Sequence, residues 1–154
     1  MQVLDIFKGL GDESFRELLR SISIGKLKTY QLFERVKARL HTQKLNTEAL
    51  RKAGQRSWER VNEGDVEFAT EISQAVLVSH LDMIVAVLNF LGIPNEDGFF
   101  AKDLDASTYL TEGWQTRVYE EFRSKYPEAL LIFYINHLAV EVQKAEELFV
   151  PAKA

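Results

Sequence analysis

The sequence predicts an all-α fold, an antiparallel bundle of about six helices. Three observations predict it. Apolar residues recur at helical spacing along almost the whole chain. Strand signals are confined to residues 22–24 and 99–100, too short to build a sheet. Two stretches, 72–93 and 129–142, are apolar on nearly every side, a pattern that globular proteins reserve for the centre of a core. The helices carrying them, about 66–91 and 128–149, are therefore expected side by side in the middle of the bundle.

A chain of 154 residues is most simply one domain and is long enough to bury a core. Within it, a basic helical half at about 1–62 is followed by an acidic bundle half at about 65–150. Residues 1–64 hold 13 Lys/Arg against 8 Asp/Glu, and residues 65–154 hold 6 against 15. Halves of opposite sign attract one another within a chain or across a dimer. The absence of cysteine excludes disulfides, thiolate metal sites and cysteine nucleophiles, and fits a cytoplasmic protein. The N-terminus has no basic start followed by an apolar run, so no signal peptide is expected. Stretch 72–93 is long enough for a membrane span, but it holds Gln74, Ser79, His80, Asp82 and Asn89. A mid-span Asp costs about 2.5–3.5 kcal/mol on insertion scales, which argues for a buried helix and no membrane.

Taken in order, Val3, Ile6, Phe7 and Leu10 make a short first stripe that Gly9 and Gly11 weaken and end. Ser14 and Glu17 have capping-box spacing and open a helix with Phe15, Leu18, Leu19 and Ile22 inward. Gly25 breaks it. Thr29 is expected to cap a helix carrying Tyr30, Phe33, Val36 and Leu40. Asn46 or Thr47 caps a more polar helix with Leu50, Ala53, Trp58 and Val61, with Gly54 as a weak point. Residues 62–65 read as a break, with Asp65 as the next cap. The long apolar helix from Val66 then stops at Gly92 and Pro94.

Residues 94–110 read as one long connection, the place where binding loops occur. Thr111 is expected to cap a helix presenting Trp114, Val118 and Phe122. Pro127 suits the start of the last helix, and Glu128 suits its dipole.

The candidate chemistry is sparse. His80 and His137 each sit on an apolar helix, and antiparallel packing would bring the imidazoles near each other. His137 and Glu141 at i, i+4 have the spacing to share a metal ion. A neutral core imidazole bonded to a carbonyl, a hydroxyl or water is the stronger reading of both. Haem ligation by either histidine has no supporting pattern, and no cofactor is expected. The chain has no Glu-x-x-His, so the di-iron bundle pattern fails. Residues 95–98, Asn-Glu-Asp-Gly, invite a calcium reading. Aligning Gly98 with the loop glycine puts Ile93 and Leu104 at ligand positions, so the EF-hand fails. Asp103 and Asp105 remain as a weak cation pair. Phe99 and Phe100 stand in a polar loop close to Tyr109 and Trp114. With Tyr134, His80 and His137, this set of Phe99, Phe100 and Trp114 is the expected ligand-binding group.

Residues 26–60 hold ten basic side chains against Glu34, Glu48 and Glu59. Helix, glycine turn and helix at 14–40 resemble a helix-turn-helix in outline. Arg35, Lys37 and Arg39 on its outer face, with Lys44 beyond, would be its nucleic-acid contacts. The leading expectation is a binding or protein-interaction domain without catalytic activity, self-associating as a dimer. A nucleic-acid protein using 14–60 and an enzyme centred on His80 and His137 are the alternatives.

Overall fold

The computed structural model describes residues 1–151 and is all-α. Among the described residues there are ten α-helices, one 3-10 turn and one short hairpin. They group into two compact units, Gln2–Ser79 and the residues from His80 onward.

The first unit holds α1 (Val3–Leu10), α2 (Asp12–Arg20), α3 (Ile24–Thr29), α4 (Phe33–Arg39), α5 (Thr47–Lys52), α6 (Gly54–Asn62) and α7 (Val66–Ser79). Helix α7 is its hub and packs against α1, α3, α4 and α6. It buries Phe68, Ala69, Ile72, Ala75 and Val76. A left-handed turn at Gly11 (φ 92°) folds α2 onto α1, bringing Phe7 and Phe15 edge to face at 4.9 Å. Because α2 already starts at Asp12, Ser14 and Glu17 lie inside the helix and form no capping box. At Gly54 an added Cβ would stand 3.2 Å from Arg16 Cδ, so the glycine lets α2 and α6 approach closely.

Caps set the remaining ends. Asn46 accepts from the Ala49 N–H at 2.9 Å, and Asp65 from the Phe68 N–H at 3.0 Å. The expected helix at 29–40 is instead two. Ser23 caps α3, Gly25 lies in its first turn, and the Thr29 hydroxyl donates back to the Gly25 carbonyl. A left-handed Gln31 (φ 60°) and a bond from Leu32 N–H to the Leu27 carbonyl then separate α3 from α4.

The expected helix at 66–91 is also cut, at His80. The Ser79 hydroxyl donates to the Ala75 carbonyl at 2.7 Å and accepts the Ser23 N–H at 2.8 Å. A hydroxyl bonding back one turn competes with the helical ladder and bends it. His80 then leaves helical geometry (φ −128°, ψ 37°) and α8 (Leu81–Leu91) begins. The apolar rod thus contributes α7 to the first unit and α8 to the second. Among the described residues no single helix is long and apolar enough to cross a membrane.

In the second unit, left-handed Gly92 (φ 78°) ends α8. Strands β1 (Asn95–Glu96) and β2 (Phe99–Phe100) pair antiparallel through Asp97 and Gly98, at φ 52° and 95°. Two positive φ values with an Asp-Gly sequence are what a type I′ hairpin turn requires. The stretch read as a loop with calcium-like spacing is therefore a hairpin. Asp105 caps the 3-10 turn Ala106–Tyr109 through the Ser107 N–H at 3.1 Å. Helix α9 (Trp114–Phe122) starts from Gly113, not Thr111, and packs against both α8 and α10 (Glu128–Gln143). Helix α10 ends at left-handed Lys144 (φ 55°), well before the expected residue 149.

Beyond Lys144 the chain doubles back along α10. Asn136, 1% exposed in the middle of that helix, takes hold of it. Its Nδ2 donates to the Ile132 carbonyl at 2.9 Å and the Phe149 carbonyl at 3.1 Å, and its Oδ1 accepts the Phe149 N–H at 2.7 Å. The Phe149 ring meets Tyr119 edge to face at 6.3 Å.

Candidate binding groove

The basic residues singled out in the sequence lie in the first unit, where the chain forms an open groove of about 540 Å³. One side is the end of α4 and the loop after it, from Arg39 to Lys44. The other is a face of α5 and α6 carrying Lys52, Arg56 and Arg60, with Glu59 and Glu63 beside them. Leu40, Ala49 and Ala53 give the groove apolar patches. The second side spans two helices: Lys52 ends α5, and Arg56 and Arg60, four apart, share a face of α6.

Several of these cations hold the walls together. Arg39 joins α4 to α7 through Glu67 at 3.3 Å and Glu71 at 3.0 Å. The hydrogen bond to Glu71, above all, holds its guanidinium above the ordinary value. Arg60 donates to the Arg39 carbonyl, pairs with Asp65 at 3.4 Å and lies over the Phe68 ring at 4.5 Å. Lys52 pairs with Glu48 at 3.0 Å and, chiefly by that hydrogen bond, holds the carboxyl below its ordinary value. Lys44 and Arg56 differ: both are exposed, and neither has an ion-pair partner among the described residues. Exposed left-handed His41 (φ 51°) stands with them. The groove therefore offers two uncommitted cations beside others that are already paired.

Arg39 and Lys44, of the four expected nucleic-acid contacts, line this groove, whereas Arg35 and Lys37 do not. Arg35 is exposed on α4, and Lys37 pairs with Glu34 at 3.5 Å. Lys52, Arg56 and Arg60 were not among the expected contacts, although their i, i+4 spacing marks one face in the sequence alone.

The expected ligand-binding group falls in the second unit and is largely structural. Trp114 is 1% exposed, and its indole N–H donates to Gln143 Oε1 at 3.1 Å. Gln143 in turn donates to the Leu110 carbonyl at 3.2 Å, which ties the loop before α9 to the end of α10. Phe99 is 47% exposed on the hairpin and Phe100 is half-buried. His80, half-buried at the start of α8, is held below its ordinary pKa by burial. His137, Tyr134 and Glu141 do come together. His137 Nε2 donates to Glu141 Oε2 at 3.1 Å, and its ring stacks on Phe133 and Tyr134 with centroids at 6.0 and 6.4 Å. This hydrogen bond lowers the Glu141 pKa, against an opposing effect of burial. Burial, reinforced by Glu141, pushes the Tyr134 hydroxyl well above its ordinary value, so it stays protonated. His137 Nδ1 is buried and has no hydrogen-bond partner. Among the described residues no group of three or more His, Asp or Glu gathers around a possible metal position, and His137 and Glu141 bind each other.

Comparison with protein families, with curated proteins and with solved structures finds no match.

Proposed function

We propose that this chain is a protein-interaction domain of the cytoplasm, without catalytic activity, whose groove at residues 39–63 holds an acidic surface of a partner protein. The observation that supports it is the pair of cations without ion-pair partners, Lys44 and Arg56, on facing sides of a groove with apolar patches. Uncommitted cations in a concave site raise the local concentration of anionic groups and steer them in. A second copy of this chain supplies acidic side chains. Residues 80–154 hold 12 Asp/Glu against 6 Lys/Arg, so self-association is the expected form of this binding.

A nucleic acid is the less favoured occupant. The groove lining contains no Phe, Tyr or Trp on which a base could stack. Residues 2–79 hold 13 Lys/Arg against 11 Asp/Glu, short of the strongly basic footprint that a phosphate backbone selects. Exposed Arg35 on α4 favours it.

Sedimentation of the wild type and a Lys44→Glu/Arg56→Glu variant, at low and high salt, tests the reading. Reversing two exposed charges at an interface should weaken association about tenfold, and added salt should weaken the wild type likewise. Neither residue has an ion pair to lose, so the variant should keep its stability. Association that is absent, or indifferent to both changes, together with salt-sensitive binding of mixed-sequence DNA, would replace this reading with the nucleic-acid one.

A further inference from the structure

An asparagine in the middle of an otherwise apolar helix is costly unless all its polar atoms are satisfied. A leucine at position 136 would need no partner. Asn136 instead spends two of its three hydrogen bonds on the main chain of one residue, accepting the N–H and donating to the C=O of Phe149. That arrangement recognises extended backbone whatever the side chain, as a neighbouring strand would. The side-chain selectivity comes from Tyr119, itself buried, against which the Phe149 ring is set. The segment that fills the slot has no helix or strand of its own, and Val150 next to the clamp is 72% exposed. Left-handed Lys144, a conformation that non-glycine residues adopt at a cost, turns the segment back onto the helix.

We propose that the slot between α9 and α10 is a peptide-recognition site occupied in cis by this chain's own residues 145–151. Its occupant in trans is an extended segment of a partner protein with an aromatic residue between aliphatic ones, in the pattern of Leu148, Phe149 and Val150. A partner's segment replaces the cis segment by offering its own N–H and C=O to Asn136 and its ring to Tyr119. A short tether gives the cis segment an effective concentration of about millimolar, so the slot is closed to weak competitors. This inference goes beyond the groove reading and uses none of its residues.

The test uses the full chain and a fluorescein-labelled peptide with the sequence of residues 145–151, read by anisotropy. A Phe149→Ser chain, its cis segment loosened, should bind the peptide at least tenfold more tightly than the wild type does. The same peptide N-methylated at its phenylalanine lacks the donor that Asn136 requires and should not bind. An Asn136→Leu/Phe149→Ser chain with unchanged circular dichroism should also lose binding. If that variant fails to fold, the N-methylated peptide still decides. Failure of the Phe149→Ser chain to bind the peptide, or equal binding of the N-methylated peptide, overturns the proposal. A wild-type dimer that Phe149→Ser makes monomeric also overturns it, because a second copy would then be the occupant. The Lys44→Glu/Arg56→Glu variant should bind the peptide as its parent does, which separates failure here from failure of the groove reading.

Discussion

Replacing Gly98 with alanine should undock the hairpin from α8. Two effects add. At φ 95° a side chain costs about 1–2 kcal/mol, because its Cβ crowds the following carbonyl. The new Cβ would also stand 3.2 Å from Leu81 Cδ2 and 3.3 Å from Ile84 Cγ2, inside ordinary contact distance. Leu81 and Ile84 are 9% and 4% exposed, so neither can swing away freely. Overpacking of this kind costs about 1–3 kcal/mol. The sum is about 2–5 kcal/mol, unless the hairpin detaches first and so limits the loss. Urea unfolding gives the total, and amide exchange at Glu96 and Phe99, the paired residues flanking the turn, reports detachment. Asp97→Asn is the control, because asparagine tolerates the left-handed conformation that Asp97 adopts at φ 52°. A Gly98→Ala protein within about 0.5 kcal/mol of the wild type, with amide protection intact, would refute the close packing of turn on helix.

Two titrations should follow from the second unit. The His137 hydrogen bond depresses the Glu141 pKa, so its stabilisation is complete above the ordinary 4.5 and disappears as pH falls through the lower folded value. The stability gap between wild type and Glu141→Gln should therefore close below pH 4.5, and a gap that is constant with pH contradicts the assigned bond. For His80, burial favours the neutral ring, so the unfolded chain takes up the proton first and stability falls as pH drops below 6.5. An NMR midpoint for the His80 ring at or above 6.5 would contradict its burial.

Where a single residue type fixes a backbone conformation, the fold was legible. Gly92, Asn46, Asp65 and Pro127 mark helix ends in the sequence and do so in the structure. The missed breaks are tertiary or local in ways that periodicity does not register. The break at His80 depends on the Ser79 hydroxyl meeting the N–H of a residue 56 positions earlier. That at Gln31 uses a left-handed residue other than glycine, which composition does not flag. Asp97-Gly98 carried its turn signal openly, but two-residue strands are too short for alternation to show. Of the candidate site, Arg39 and Lys44 were legible as charge. The opposite wall, Lys52, Arg56 and Arg60, is legible as spacing, but spacing alone does not set it above the outer face of α4. Which cations are already paired, and which are free, is a matter of distances that no sequence pattern carries.

The grip of Asn136 on the main chain of residue 149 sets unequal limits on how these two positions can drift over evolution. At 149 every residue except proline, which has no N–H to give, can offer both hydrogen bonds, so the ring contact with Tyr119 is what restrains change. At 136 there is almost no latitude. Aspartate has no N–H to donate, glutamine is a methylene too long, and any apolar residue lets go of the segment altogether. In descendants of this chain the buried amide should persist while the residue it holds varies.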